Sequence, residues 1–469
     1  MKKILVILLL LYPGLLSAGY FLIPDFDNDG SLGIAEAIAI LEVLADIEVV
    51  VPQDTSAIGI ADINDDSRFS MEEAIYILQI ASGNRQQPLC SSEELGICAD
   101  RISCETAGGI WIDGFCEDKQ NCDAILFDNS PLAYEDFVAI VPLGNFNPPG
   151  HTLPSDHVYF YLSDPATEYS VISPGNITII EVRSVEHLSE SPVFIDYDII
   201  FKQTLCNSRR FRFGHLSSLS QNILSEIDLD NSTCTTYSTG GKIFKSCRLE
   251  GLKIDLYSGD SVGTAGGNFD QNALDFFAYD FSIKNGYANP QRYENTHLPY
   301  AACPLNYYSS DTKTVLVSML GDSAGNVLRT IQPLCGEVEQ DVPSTAQGNW
   351  FPLGFSGVYP EDTHLTLAHD NVDPTTPIFS VGTSIPGIAT GKYSYEPGNN
   401  GEINREFANI ISDGKIYCYE LEYTDGYRVP STIVLIKLLD ENTLRIEKQT
   451  ADSCNPPYYF ESSYADFVR

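Results

Sequence analysis

The sequence predicts a mainly β, multidomain protein with a small α domain at its N-terminus and an antiparallel β-sheet or open barrel at its centre. Three observations carry that prediction. The chain has 469 residues, room for about three domains at roughly 150 residues each. It holds 26 Tyr and 23 Phe, residue types that favour strands. From about residue 125 onward, short alternating runs are separated by turn residues, and long helical periodicity is absent. Apolar residues make up 43%, enough for a core, so wholesale disorder is excluded. The 27 Lys and Arg against 64 Asp and Glu give a net charge of -37. Such a surface repels polyanions, which excludes nucleic acid as a partner. Cations, basic surfaces and neutral polymers suit it better.

The N-terminus reads as a secretory signal peptide over residues 1–18. Lys2 and Lys3 precede an apolar run over residues 4–11, and the small residues Ser17 and Ala18 close it. The run is too short, and too interrupted by Pro13 and Gly14, to span a bilayer as a stable helix. A retained N-terminal anchor is the alternative. No later segment has 18 uninterrupted apolar residues, so no transmembrane segment is expected after signal removal. The mature chain is expected to be secreted: periplasmic, extracellular or at the cell surface. Its 12 cysteines all follow residue 89 and include no Cys-x-x-Cys. In an exported chain they are expected to oxidise to disulfides, and zinc ribbons and thioredoxin-like centres are disfavoured.

Residues 19–84 form the predicted α domain. A twelve-residue loop runs from Asp25 to Glu36. Calcium takes about 6–8 oxygen ligands, drawn from positions 1, 3, 5, 7, 9 and 12 of such a loop. Here these are Asp25, Asp27, Asp29, the Ser31 carbonyl, a water at Gly33, and Glu36. Gly30 at position 6 permits the sharp turn, because glycine tolerates positive φ. A second copy begins 37 residues later, with Asp62, Asn64, Asp66, the Arg68 carbonyl, Ser70 and Glu73. Ser67 replaces the glycine there, at a cost of about 1 kcal/mol if that residue sits at positive φ. Four carboxylates in loop one against three in loop two predict tighter binding at the first.

Each loop opens a helix, with Ile34, Ala37, Ile38, Leu41 and Leu44 after the first, and Ala74, Ile75, Leu78 and Ile80 after the second. Neither has a convincing entering helix. Loop plus exit helix, twice over about residues 20–84, resembles the dockerin-type variant of the EF-hand. Glu36, Glu73 and Ser67 depart from the dockerin pattern, which usually ends its loops in Asp and carries Gly in both. The resemblance implies two bound calcium ions. Residues 19–87 hold 13 acids and 2 bases, a net -11, so calcium is expected to couple to folding.

Residues 83–88 read as a linker, and residues 85–124 as a cysteine-rich module. Cys90, Cys98, Cys104, Cys116 and Cys122 would staple a stretch too short for its own core. Five is odd, so one must pair outside the cluster or stay free. Trp111 is expected to pack within this module.

Residues 125–340 are the predicted central β domain. His157–Leu162, residues 176–182 and residues 198–201 read as strands. His151 and Asp156 precede the first, and His157 opens it. Residues 173–177 (Ser-Pro-Gly-Asn-Ile) enter another. Phe213-Gly-His215-Leu-Ser217 is followed by a Gly-rich turn over residues 257–267 and by Ala273-Leu-Asp275-Phe276. In this order, over roughly residues 140–285, the pieces resemble the lysostaphin-type (LytM-like) zinc endopeptidases of cell-wall peptidoglycan. Those carry His-x3-Asp, a Tyr-x-His-Leu-Ser-like strand end, and His-x-His.

The resemblance implies zinc held by two histidines and an aspartate, with one position open to water. The metal lowers that water's pKa, and neighbouring histidines handle protons. Carried over, His151 and Asp156 would be ligands. Four residues separate them rather than three, so His157 could take the place of Asp156. Asp275 would be the third ligand and His215 a catalytic histidine. The His-x-His motif is broken, because Ala273 stands where its proton-transferring histidine would be.

Residues 341–469 are a predicted C-terminal β domain, with strands over residues 415–421, 432–439 and 443–447. Cys418 with Cys454 could staple it, and Cys303 with Cys335 the joint before it. His364, His369 and Asp370 could hold a metal. Tyr458, Tyr459 and Phe460 would pack at an edge or bind a glycan. No Gly-x-Ser-x-Gly, His-Glu-x-x-His or phosphate-binding glycine loop is present.

Three functional readings follow. The first is a calcium-binding, non-catalytic peptidase-like protein, acting as a binding or structural module toward a cell-wall or surface glycan, peptide or protein. The second is a zinc metalloendopeptidase acting on peptidoglycan peptides. The third is a calcium-dependent adhesion or assembly module with no enzymatic ancestry.

Overall fold

The computed structural model describes residues 126–204, 208–268, 271–398, 401–424 and 426–469. Before residue 126 it describes Tyr20–Pro24, Ile34–Leu44, Ala57–Ala61, Ile110–Ile112 and Phe115–Glu117, with the helical residues Ile75, Ile77 and Leu78. Two compact units divide the chain, Met1–Lys119 and Gln120–Arg469.

In the first unit, β1 (Tyr20–Pro24) pairs antiparallel with β2 (Ala57–Ala61), each just ahead of a predicted calcium loop. Helix α1 (Ile34–Leu44) follows the first loop, as its apolar spacing predicts. Ala37 and Ala39 are its buried residues, while Ile34 and Ile38 are exposed. The backbone of Glu36 lies in α1. The other calcium-ligand positions (Asp25, Asp27, Asp29, Ser31, Asp62, Asn64, Asp66, Arg68 and Glu73) lie outside the described residues, as do the Glu36 side chain, the signal peptide and Cys206. Of the cysteine-rich module, only the short hairpin β3 (Ile110–Ile112) and β4 (Phe115–Glu117) is described.

The second unit holds two antiparallel sheets. The eleven strands of the first are β5 (Phe137–Val141), β6 (His157–Leu162), β7 (Glu168–Ile172), β8 (Ile177–His187), β9 (Ile195–Gln203), β10 (Arg209–Leu219), β11 (Thr233–Thr239), β12 (Lys242–Leu256), β13 (Ser261–Gly266), β14 (Ala273–Asp280) and β15 (Ala301–Ala302). Their main order is β11-β12-β8-β9-β10-β14-β6-β5, with β13 bridging β10 to β7 and β15 pairing β14.

Strand alternation sorts this sheet into two faces. Phe201, Phe211, Phe213 and Phe276 meet on one, and Phe127 packs edge-on to Phe211 at 4.8 Å between centroids. All are fully buried, which makes this the core. Fully burying a Phe side chain is worth about 1.5–3 kcal/mol. The opposite face carries His157, Asp198, Arg212 and Asp275.

The second sheet has nine strands: β16 (Gly348–Pro352), β17 (Leu365–His369), β18 (Pro377–Val381), β19 (Gly391–Ser394), β20 (Tyr417–Tyr419), β21 (Glu422–Tyr423), β22 (Ile433–Asp440), β23 (Thr443–Gln449) and β24 (Ala465–Val468). Its core gathers Trp350, Phe379, Phe407, Tyr419, Val434, Ile446 and Phe467. The turn between β22 and β23 falls at residues 440–443, close to the sequence reading. Cys303–Cys335 and Cys418–Cys454, two pairings the sequence allowed, are bonded, and Cys234–Cys247 adds a bridge between β11 and β12. Tyr458 and Phe460 pack beside Cys418 and Cys454, while Tyr459 is exposed. Among the described residues, no helix is long and apolar enough to cross a membrane.

Candidate functional site: a histidine–aspartate face

The site is built on the polar face of the first sheet. Register places its members side by side. On β14, Asp275 lies opposite Tyr159 of β6 and Gly214 of β10, and Phe277 lies opposite His157 and Arg212. These partners share a face because directly opposed residues in an antiparallel pair point the same way.

His215 reaches this face through a backbone irregularity. Phe211 and Phe213 of β10 point into the core, so strict alternation would send residue 215 there too. Instead the register with β9 shifts between Phe213 and Leu216, and that with β13 shifts between Leu216 and Ser218. His215 itself has φ 62°, the left-handed region rarely used by side chains other than glycine. A bulge re-aims a side chain, and strain of this kind persists only where the surroundings enforce it. Leu216 takes the core position, fully buried, and His215 turns toward Asp275. Gly214 makes room, since a Cβ there would sit 3.3 Å from the Asp275 Cβ and 3.2 Å from Asp198 Oδ1.

Two carboxylate–imidazole pairs converge on Asp275. Asp156 Oδ1 lies 3.1 Å from His157 Nδ1, and His157 Nε2 lies 3.3 Å from Asp275 Oδ2. Asp196 Oδ2 lies 2.7 Å from His215 Nδ1, and His215 Nε2 lies 3.4 Å from the same Asp275 oxygen. A carboxylate on Nδ1 fixes ring orientation and tautomer. Asp156 is held in turn by the Tyr279 hydroxyl, which donates to its Oδ2 at 2.7 Å. Asp196 Oδ2 also accepts from Gln271 Nε2 at 2.8 Å and faces His187 Nε2 at 3.2 Å. Beside this cluster Arg212 donates to Asp198 Oδ2 at 2.6 Å and lies over the Phe277 ring.

His151 sits in the turn before β6, where it exchanges backbone hydrogen bonds with Asn147. Its ring stands 5.5 Å from that of His157, centroid to centroid. Two residues on, the Leu153 N–H donates to Glu361 Oε2 at 2.8 Å.

The charges follow from these contacts. Burial, then the nearby His157, lowers His151 to about 4. Partial desolvation opposes a charge on His215, whose side chain is 45% exposed, but the Asp275 and Asp196 carboxylates outweigh it and raise it to about 10. Burial also opposes ionisation of Asp156 and Asp196. Hydrogen bonds from their histidine partners hold both below the usual carboxylate range.

The sequence-assigned residues His151, Asp156, His157, His215 and Asp275 are thus brought into one neighbourhood. Both oxygens of Asp156 are engaged, one by His157 and one by Tyr279. His157 Nε2 and Asp275 Oδ1 are buried without a hydrogen-bond partner. Among the described residues, no group of three or more His, Cys, Asp or Glu side chains is arranged to hold a metal ion. The arrangement is a hydrogen-bonded ionic network in which His157 Nε2 and His215 Nε2 converge on Asp275. His364 and His369 do not join forces. His364 is fully buried and donates to the Val358 carbonyl, while His369 faces Glu406 at 3.4 Å.

Sequence reasoning missed Asp196, His187, Gln271, Arg212 and Tyr279. The alternating acids Asp196 and Asp198 on β9 were the available signal, since two carboxylates two residues apart on a strand share one face.

No family model matches the chain, and no curated protein matches it. Among solved structures, the NMR solution structure of lysostaphin shows similarity, at 10% identity and a TM-score of 0.20, covering 71% of this chain and 91% of that one. A likeness at that TM-score carries no argument about fold or activity.

Proposed function

We propose that the chain is a secreted, calcium-binding, multidomain protein whose peptidase-like β domain, residues 125–340, binds a cell-wall or surface partner without cleaving it. The observation that carries this reading is Ala273. In the lysostaphin-type pattern its position belongs to a proton-transferring histidine. Here its methyl group is buried against Val141 and Tyr159, and it can move no proton. What remains is a face of fixed imidazoles and carboxylates suited to gripping a polar ligand. The N-terminal loops, Asp25 to Glu36 and Asp62 to Glu73, are proposed to hold two calcium ions and to gain order from them.

The test is elemental analysis of the oxidised mature protein after dialysis against trace calcium and zinc. About two calcium and no zinc per chain is the expected result. One zinc per chain, lost in His151→Ala, would replace this reading with the zinc endopeptidase. Absence of calcium would remove the N-terminal part of the proposal.

A further inference from the structure

A cavity of about 300 Å³ opens beside β5 and β6. Val141, Val327 and Tyr161 supply its apolar wall, and Asp322, Asn371 and Lys392 are among its polar residues. Its one lysine is already occupied, because Lys392 Nζ pairs with Asp370 Oδ2 at 3.2 Å.

The acceptors are less fully engaged. Asp322 Oδ1 takes the backbone N–H groups of Asn326 and Val327 at 2.7 and 3.0 Å. Among the described residues nothing bonds its Oδ2. Asn371 is only 3% exposed, and its Nδ2 donates to the Pro142 carbonyl at 2.9 Å. Its Oδ1 has no partner among the described residues, yet it is not one of the sealed, unsatisfied atoms, so it opens to the cavity it lines. The Tyr161 hydroxyl is likewise without a partner among the described residues.

A site of this kind calls for a donor that brings no acceptor. A lysine-type ammonium has three N–H donors and no acceptor. Its methylenes pack on aliphatic walls while the charge stays with polar groups. An aromatic face adds a further attraction for the cation. We propose that this cavity binds a primary ammonium on an aliphatic stem, as presented by a lysine side chain of a peptide partner. The proposal stands whether or not the histidine face is catalytic.

Calorimetric titration of the full oxidised chain tests it. The probe is Nα-acetyl-lysine methylamide, with Nα-acetyl-norleucine methylamide as the neutral comparator. One saturable site for the first, and none for the second, is the expected result. Asp322→Asn retains an oxygen for the Asn326 and Val327 N–H groups but removes the charge, and should weaken binding about tenfold or more. Tyr161→Leu should weaken it as well, which covers a failure of the first variant to fold. Glu441→Gln, an exposed acid on the turn after β22, should leave binding unchanged. The proposal is overturned by absence of saturable binding, by equal binding of the norleucine derivative, or by equal weakening in Glu441→Gln.

Discussion

The two sheets of the second unit hold histidine in opposite ways. On the first sheet, His157 and His215 each meet an aspartate at Nδ1 and turn Nε2 toward a third, Asp275. Beside the second sheet, His364 lies between the rings of Phe351 and Phe355, each 4.7 Å away, and satisfies one nitrogen on the Val358 carbonyl at 2.7 Å. His157 and His364 are buried, whereas the His215 side chain is 45% exposed. The carboxylates on the first sheet raise His215 to about 10, whereas His364 falls to about 4. Burial of a histidine is therefore a poor marker of a site. Carboxylates delivered from neighbouring strands are the better one.

Removing the carboxylate that anchors one arm should show the largest effect. Asp196→Ala leaves Gln271, His187 and His215 without their shared acceptor and is expected to lower stability by about 3–5 kcal/mol in urea unfolding. A loss below about 1 kcal/mol would mean that the network is solvated rather than structural.

Glu361 sharpens the contrast between acids. It is buried, accepts from Leu153, and is raised to about 8 by burial and then the Asp156 charge. An acid that keeps its proton when folded costs stability as pH rises from its unfolded value, near 4.5, through 8. The chain should lose up to about 5 kcal/mol from this group over that window, and Glu361→Gln should flatten the decline.

His364 predicts the opposite slope. Its lowered value means that stability is lost as pH falls from about 6.5 toward 4. His364→Phe should cost about 1–3 kcal/mol at pH 7, since the Val358 carbonyl loses its donor. That deficit should shrink on acidification, and thermal melts at pH 7 and pH 5 would read the change. A deficit that grows at pH 5 would contradict the neutral, buried assignment. Smaller in its effect on the second unit, but countable, is loop one: Asp25→Ala and Glu36→Ala should each remove about one calcium per chain while leaving the melting of the second unit unchanged.

Much of the architecture was legible from local pattern. The strand at His157–Leu162 follows from alternation, and the β22–β23 hairpin from its polar turn. The site was legible only in pieces. Motif order flagged His151, Asp156, His157, His215 and Asp275. The partners that fix them sit at the start of β9 and between strands, at Asp196 and Gln271, where sheet register brings them in. Register across strands distant in sequence is a tertiary property, set by which face is buried. The bulge at His215 was invisible for the same reason: Phe213-Gly-His-Leu-Ser217 reads as an ordinary strand end, and only the competing demands of Leu216 for the core and Asp275 for a partner turn the histidine over.

The central claim is binding without hydrolysis, and incubation of the oxidised mature protein with purified peptidoglycan in calcium tests it most directly. Two quantities are read together: protein carried down with the insoluble wall, and new amino termini released from it. Sedimentation with the wall, with no new termini above the protein-free control, is the expected result. Release of new termini that ceases in His157→Ala and in His215→Ala would contradict it and make the chain a peptidase.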